Sequence, residues 1–380
     1  MKSLSQWSDW LERHWISPSY AGGLLFTLSV CFFGAATNSM AGWLYVLSGV
    51  SLALLIIAAI LPGRSLRHLT LNRSPIQPVS VGENLIITLT LHSPHRDPKT
   101  LIQVWDILPS TLGPPQSKAI EVILPQGDYQ WRYLYPTQQR GIYHWQRLEL
   151  RTGTPLGLFW CRRSRTAPAK AIVYPQVLQL SHCPLVDSVG DENSTQFPSN
   201  HHYQAATEGV TKTLRTYRFG DPTRLIHWRS SARFDQFMVR ELERVTGGQA
   251  IVICLDSGFS WSEERFEAAV IAAASIYFYA LRTGLQVTVW TASSGLVSGS
   301  QTVLETLAAV QSRETVPLEI PPHDPQLWLT SDVQRLGWLA PHDRWLYFSS
   351  DDLSVSSGIK SPGLVINDVD DLGQQLQTTI

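Results

Sequence analysis

The stretch Tyr217–Glu243, YRFGDPTRLIHWRSSARFDQFMVRELE, decides how the second half of this chain is read. It crowds charged side chains, a Gly-Asp-Pro turn and a tryptophan ahead of an apolar run, Ile251–Leu255, that ends on Asp256. Asp221 followed by Pro222 has the form of a helix N-cap with proline at the first helical position, where its missing N–H does no harm. Leu225, Trp228 and Ala232 then recur at helical spacing, which turns Arg224, His227 and Arg233 to another face. After Asp235 the pattern becomes extended through Phe237, Val239 and Leu242, and Gly247-Gly248 signals a turn. A hairpin about that turn is expected to set Val239 roughly opposite Asp256.

Downstream, strand and helix patterns alternate. Ile251–Leu255, Gln286–Trp290, Trp345–Ser349 and Gly363–Ile366 read as strands, and Glu263–Arg282 and Thr302–Gln311 as helices. The alternation predicts a mostly parallel sheet with helices on both faces, a fold that gathers ligands at the carboxyl ends of its strands. Asp256, Thr291 and the pair Asp351-Asp352 stand at such ends. Upstream, from Leu66 to about Leu180, the signals are β. Leu85, Ile87, Leu89 and Leu91 alternate with polar residues. Leu101–Trp105, Ala119–Leu124, Tyr129–Tyr135, Leu148–Leu150 and Ile172–Tyr174 add short strands between Pro, Gly and Asp clusters. An antiparallel sandwich, immunoglobulin-like in outline, is expected, without the Cys…Trp…Cys pattern of antibody domains. Residues 181–207 are polar and turn-rich and read as a linker. The adjacent His201-His202 point apart in an extended segment and lack a third ligand, so they make no metal site.

The first sixty-odd residues differ in kind. Tyr20–Ala36 and Gly42–Leu61 carry no charge and approach the length a helix needs to cross a bilayer, with ATNSMA between them. A buried helical hairpin of a soluble domain is the competing reading. Lys2 and Arg13 precede the first span, and Arg64, Arg67 and Arg73 follow the second, so both ends are expected on the cytoplasmic side of the inner membrane. Trp7, Trp10, Leu11 and Trp15 share one helical face of segment 1–19, suited to the membrane interface or to packing on the soluble part. The expected organisation is an interfacial segment 1–19, two spans in 20–63, a β-sandwich in 64–180, a linker in 181–207 and an α/β domain in 208–380.

Composition narrows the function. The 380 residues carry a formal net charge of −1, which gives no global attraction to nucleic acid or to anionic membranes. Cys31, Cys161, Cys183 and Cys254 are scattered without metal spacing and fit a reducing compartment. The chain lacks a Walker A loop, an H-E-x-x-H motif, a G-x-S-x-G elbow and a dinucleotide fingerprint.

The run Gly220, Asp221, Arg224, Ile226, Trp228, Ser231, Ala232 and Arg233 resembles the domain-of-unknown-function 58 family of bacterial and archaeal proteins. Glu208-Gly209, Val239, Arg240, Glu241 and Glu243 also fit. Arg140–Tyr143 and Thr154–Phe159 resemble two further family signatures, with Thr154 and Leu156 where the family often has Asp and Phe. The resemblance implies membrane association and the company of a MoxR-type AAA+ ATPase. The strand–helix order after residue 250 is similar to a von Willebrand factor type A domain, whose metal loop is D-x-S-x-S. This chain reads Asp256-Ser257-Gly258-Phe259-Ser260, with glycine at the middle ligand position. The resemblance would assign Mg2+ to Asp256, Ser260, Thr291 and Asp351. Against it, Ser260 and Glu263 form a capping box and Asp256 serves as a turn residue.

The expected function is a membrane-anchored, non-enzymatic adaptor. Its partner- or anion-binding surface would comprise Arg218, Asp221, Arg224, His227, Arg233, Arg240 and Glu241. A metal- or phosphate-dependent enzyme at the Asp256 end of the sheet is the alternative.

Overall fold

The structure is a computed structural model that describes residues 12, 15–187, 202–216, 225–234, 236–246, 250–315, 325–349, 361–369 and 371–378; in 202–215, 234 and 240–246 it is the backbone that is described. The chain divides into two compact units, Met1–Pro175 and Gln176–Ile380.

The first unit contains helices α1 (Tyr20–Ser39) and α2 (Gly42–Ser65). Ser19 caps α1, its hydroxyl accepting the Gly22 N–H at 3.2 Å. Both helices outrun their expected ends. In α1 the Thr37 and Ser39 hydroxyls donate back to the Gly34 and Ala35 carbonyls, each at 2.7 Å, so polar residues continue the helix. Met40, at φ 52°, and Ala41 are all that joins the pair. At 1.5 Å per residue the helices are about 30 Å and about 36 Å long, enough for a hydrocarbon core. Their mutual face holds one polar clamp. Ser29 and Ser48 are fully buried, and each hydroxyl donates to the other's carbonyl, at 3.1 and 3.0 Å. The outer faces are apolar and exposed, including Phe26, Val30, Val46, Val50 and Ile57, whereas a core hairpin of a soluble domain would have them covered.

The rest of this unit is β. Its strands are β1 (Ser17–Pro18), β2 (Thr70–Arg73), β3 (Val79–Ser80), β4 (Asn84–His92), β5 (Lys99–Asp106), β6 (Gln116–Ile123), β7 (Asp128–Pro136), β8 (Gly141–Thr152) and β9 (Phe159–Tyr174). One sheet runs β2-β4-β7 and the other β1-β9-β8-β5-β6, with β3 beside β9. Alternation does in β4 what a half-buried strand requires, since Leu85, Ile87, Leu89 and Leu91 are all fully buried. Leu89, Leu91 and Trp131 of the first sheet share a core with Ile102, Val104, Leu148 and Leu150 of the second. Leu148–Leu150 and Ile172–Tyr174 are fragments of much longer strands. Polar residues hide the remainder from a hydrophobic pattern, as where Arg162 pairs across the ladder with Glu149 at 3.4 Å. Asp106 is fully buried and accepts from Arg73 Nη2 (2.7 Å), Trp145 Nε1 (3.0 Å) and Tyr133 Oη (2.8 Å).

The Thr154–Phe159 signature has a structural task. Gly157, at φ +68°, turns the chain so that its N–H meets the Gly153 carbonyl at 2.8 Å. The Leu158 carbonyl then accepts the Ser19 N–H at 2.9 Å, at the start of α1. A Cβ on Gly22 would stand 2.1 Å from that carbonyl oxygen, so glycine permits the approach. Of the amphipathic segment, Trp7, Trp10 and Leu11 lie outside the described residues. Glu12 is buried and pairs with Arg151 and Arg162, so at that residue the segment packs on the β domain.

The second unit contains β10 (His202–Thr216), α3 (Trp228–Phe234), β11 (Met238–Thr246), β12 (Ala250–Leu255), α4 (Glu263–Arg282), β13 (Gln286–Thr291), β14 (Gly295–Val297), α5 (Ser300–Ala309), β15 (Gln326–Thr330), α6 (Val333–Leu336), β16 (Arg344–Phe348), β17 (Gly363–Ile366) and α7 (Leu372–Gln375). The sheet order is β14-β13-β12-β15-β16-β17, parallel except for β14. Counted from β12, that is 3-2-1-4-5-6, and the winding reverses between β12 and β15. Alanines at 268, 269, 272 and 273 let α4 lie close on the sheet. Strands β14 and β15 escape the alternation pattern, being three and five residues long.

Three expectations change in this unit. The expected hairpin of β11 with β12 does not form, because β12 is flanked on both sides by parallel β13 and β15 and has no free edge. Instead β11 forms a two-stranded ribbon with β10, where Val239 faces Arg215. The ribbon starts at His202, inside the expected linker. The boundary before it falls at Pro175 rather than Leu180, because Leu180, Cys183, Leu185 and Val186 pack in the α/β core. The buried face around α3 is also different: Ile226 and Ser231 are buried, while Trp228 and Ala232 are exposed.

Candidate functional site

The sheet order places the crevice of the second unit between the carboxyl ends of β12 and β15, where an open α/β sheet collects ligands. Asp256 directly follows β12 and is 3 % exposed. Its Oδ2 accepts the Thr330 hydroxyl at 2.9 Å, from the last residue of β15, and lies 3.0 Å from Arg335 Nε in α6. Arg335 is held in place by Trp328, whose ring centroid its guanidinium carbon overlies at 4.7 Å. Asp332 orients this corner. Its N–H donates to Thr330 Oγ1 at 3.0 Å, and its side chain caps α6 at the Gln334 N–H, 2.9 Å away. Burial raises the Asp256 carboxyl above its ordinary value, with Arg335 and the Thr330 hydroxyl pulling the other way.

The remaining metal-loop candidates are likewise engaged. Ser257 is fully buried, its hydroxyl oxygen accepting the Ala292 N–H at 2.9 Å. Ser260 Oγ accepts from Arg313 Nε at 2.8 Å. Thr291 is buried, its hydroxyl 2.5 Å from that of Ser294. Asp351 lies outside the described residues. Two of the oxygens that a Mg2+ ion would need thus already face guanidinium groups, and a divalent cation beside Arg335 would meet a fixed like charge. The described residues do not fit a Mg2+ centre. Among them, no group of three His, Cys, Asp or Glu side chains is placed to hold a metal.

The Arg-rich segment is built by different rules. His227 starts α3: its Nδ1 accepts the Ser230 N–H at 3.2 Å and lies 2.7 Å from Ser230 Oγ. The His227 N–H donates to the Met238 carbonyl at 2.7 Å. Ser231 bridges helix and strand, donating to the His227 carbonyl (3.1 Å) and accepting the Met238 N–H (2.9 Å). These bonds make His227 and Ser231 the hinge pins of the α3–β11 turn. Outside it, Trp228 and Phe237 are 65 % and 56 % exposed and meet edge to face at 6.1 Å, beside exposed Arg229 and Arg233. Arg218, Asp221 and Arg224 lie outside the described residues, as do the side chains of Arg240 and Glu241. The structure therefore brings Asp256 together with Thr330 and Arg335, two residues that no motif marks. The one signal for them is the apolar run Leu327–Leu329, a buried strand ending on a hydroxyl residue.

Comparison with known proteins agrees with the motif. Residues 213–330 match the family model described as "Protein of unknown function DUF58", which takes in α3, β12 and Thr330 and stops before Arg335. The uncharacterized protein YeaD of Bacillus subtilis (strain 168) is 26 % identical over 208 residues, or 53 % of this chain. The match spans about half of that relative, 50 % of its length. Solved structures resemble the chain only remotely. A red sea bream transglutaminase is 11 % identical, covering 28 % of this chain and 15 % of its own, at a TM-score of 0.21. The CARDB domain of a Pyrococcus furiosus protein, solved with di-metal ions, is 10 % identical, covering 27 % of this chain and 93 % of its own, at 0.18. Likenesses of that order establish no shared fold. On its motif, the family match and the Bacillus relative, residues 213–330 of this chain belong to the DUF58 family.

Proposed function

We propose that this chain is a membrane-anchored, non-enzymatic adaptor that binds protein partners, a MoxR-type AAA+ ATPase among them. In this reading α1 and α2 cross the inner membrane with both ends cytoplasmic, as the basic residues flanking them favour. The two β sheets act as an immunoglobulin-like sandwich beside the bilayer. The 3-2-1-4-5-6 unit is a von Willebrand factor A-like domain in which Arg335 pairs with Asp256, the aspartate to which that resemblance would assign a cation.

The observation that carries the reading is the exposed aromatic pair Trp228–Phe237 within the family-matched residues, flanked by Arg229 and Arg233. Exposed Trp and Arg side chains on a rigid support are the residues that most often anchor a partner. The neutralised Asp256 crevice tells against the alternative, an enzyme at that end of the sheet. The test is binding of a purified MoxR-type ATPase to the full chain in detergent, measured by biolayer interferometry. Trp228→Ala/Phe237→Ala is expected to weaken it at least tenfold with an unchanged melting temperature. Equal binding by the double variant would move the interface elsewhere, and an absence of binding by the unaltered chain would remove the ATPase as partner. Turnover of a phosphate ester lost in Asp256→Asn would favour the enzyme.

A further inference from the structure

The C-terminal end of α2 opens into a cavity of about 550 Å³ lined by Ile60, Gly63, Leu66 and an unusual set of cations. These are Arg64 and Arg67 from the helix end, Arg163 and Arg165 from β9, and His68 and His95, whose rings lie 5.9 Å apart. Among the described residues, no acidic side chain lines it.

Part of this charge has a local explanation. A helix C-terminus carries roughly half a negative elementary charge, and Arg165 serves it by donating to the Leu66 carbonyl at 3.1 Å. Arg163 donates to the Trp15 carbonyl at 3.2 Å. Four guanidinium groups far exceed that need. Arg64 and Arg67 are exposed, and their guanidinium groups make no hydrogen bond or ion pair among the described residues. His68 sits at φ +64°, a conformation few side chains adopt. The cavity has the size of a small-molecule site, and guanidinium groups match phosphate oxygens. One wall distinguishes the possible owners of such a phosphate. Ile60 is 59 % exposed and continues the outward apolar face of Ile56 and Ile57 on α2. A ligand seated on the arginines would therefore touch apolar helix surface within one turn.

We propose that this cavity binds the phosphate headgroup of an anionic phospholipid, with its acyl chains along Ile56, Ile57 and Ile60. The assignment rests on the reading of α1 and α2 as membrane spans. It would fix the β unit to the bilayer surface by charge as well as by its helices.

The experiment is native mass spectrometry of the full chain in non-ionic detergent with dioleoylphosphatidylglycerol or dioleoylphosphatidylcholine. The unaltered chain is expected to retain the anionic phosphatidylglycerol preferentially. Arg64→Gln/Arg67→Gln should reduce that retention by about 30-fold, while Arg132→Gln on β7 leaves it unchanged. Arg67→Glu alone provides a second variant should the double one melt early. Equal retention of both lipids, or retention that survives Arg64→Gln/Arg67→Gln, overturns the site. Displacement of the lipid by ten-millimolar inorganic phosphate, together with phosphate binding in lipid-free detergent, assigns the cavity to soluble phosphate and overturns the lipid. Flotation with phosphatidylcholine vesicles separates the two readings. A chain that stays unassociated refutes the spans, whereas one that inserts without lipid preference refutes the cavity alone.

Discussion

Replacing Arg335 by glutamine leaves the Asp256 carboxylate buried beside Thr330 without its cation. Removing one member of a fully buried ion pair costs about 3–5 kcal/mol. The Arg335 side chain is 38 % exposed, so water already screens part of the pair, and about 2 kcal/mol is the expected loss. That corresponds to a change of about 30-fold in the opening equilibrium of the β12–β15 junction. Hydrogen exchange of the full chain in detergent, followed in peptides spanning 251–257 and 326–331, reads this local opening without assuming two-state unfolding of a two-unit protein.

The pH dependence carries a definite sign. Burial raises the Asp256 carboxyl above 3.8, so this group contributes most stability below its unfolded value and loses that contribution as pH rises through the folded value. Without Arg335 the folded value climbs further. After correction for intrinsic rates, the variant's loss of protection should be slight near about pH 4 and full near about pH 7. Asp256→Asn/Arg335→Gln removes the stranded charge and should recover most of the protection at neutral pH. Exchange in Arg335→Gln that equals the unaltered chain at neutral pH would refute the ion pair as the keeper of this crevice. A double variant as labile as the single one would refute the charge argument.

Three further outcomes follow from the first unit. Gly22→Val forces a side chain onto the Leu158 carbonyl, so the α1 start should lift from the Thr154–Phe159 turn and that turn should be cut faster in limited proteolysis; unaltered cleavage would contradict the contact. Asp106→Asn strands the buried Arg73 charge and should lower stability by about 3–5 kcal/mol, seen as an earlier urea midpoint in tryptophan fluorescence. Ser29→Ala/Ser48→Ala deletes the two reciprocal hydroxyl bonds between α1 and α2 and should cost about 1 kcal/mol in total, measured by unfolding in mixed micelles of increasing dodecyl sulfate content.

Elements with a strong internal period are legible in the order of residues alone. The helices appear because charge is absent for whole turns, and β4 appears because Leu85 to Leu91 alternate without a break. Helix α4 keeps its expected ends, Glu263 and Arg282, because acidic residues open it and arginine closes it, as the helix dipole favours. Where polar residues fill a strand, as in β8 and β9, the pattern fades although the ladder continues. The Gly247-Gly248 turn suggests the wrong partner because pairing depends on which edges a sheet leaves open, and β12 leaves none.

The amino-acid sequence by itself therefore determined the two apolar helices, the β character of the first unit, the alternating second unit, the family motif and Asp256 at a strand end. These follow from local periodicity and from residue types at short spacing. Tertiary structure alone decided what Asp256 faces. Thr330 is 74 residues away along the chain, and Arg335 lies beyond it on a short helix. They meet Asp256 because the sheet reverses its winding between β12 and β15, a long-range pairing that no local pattern encodes.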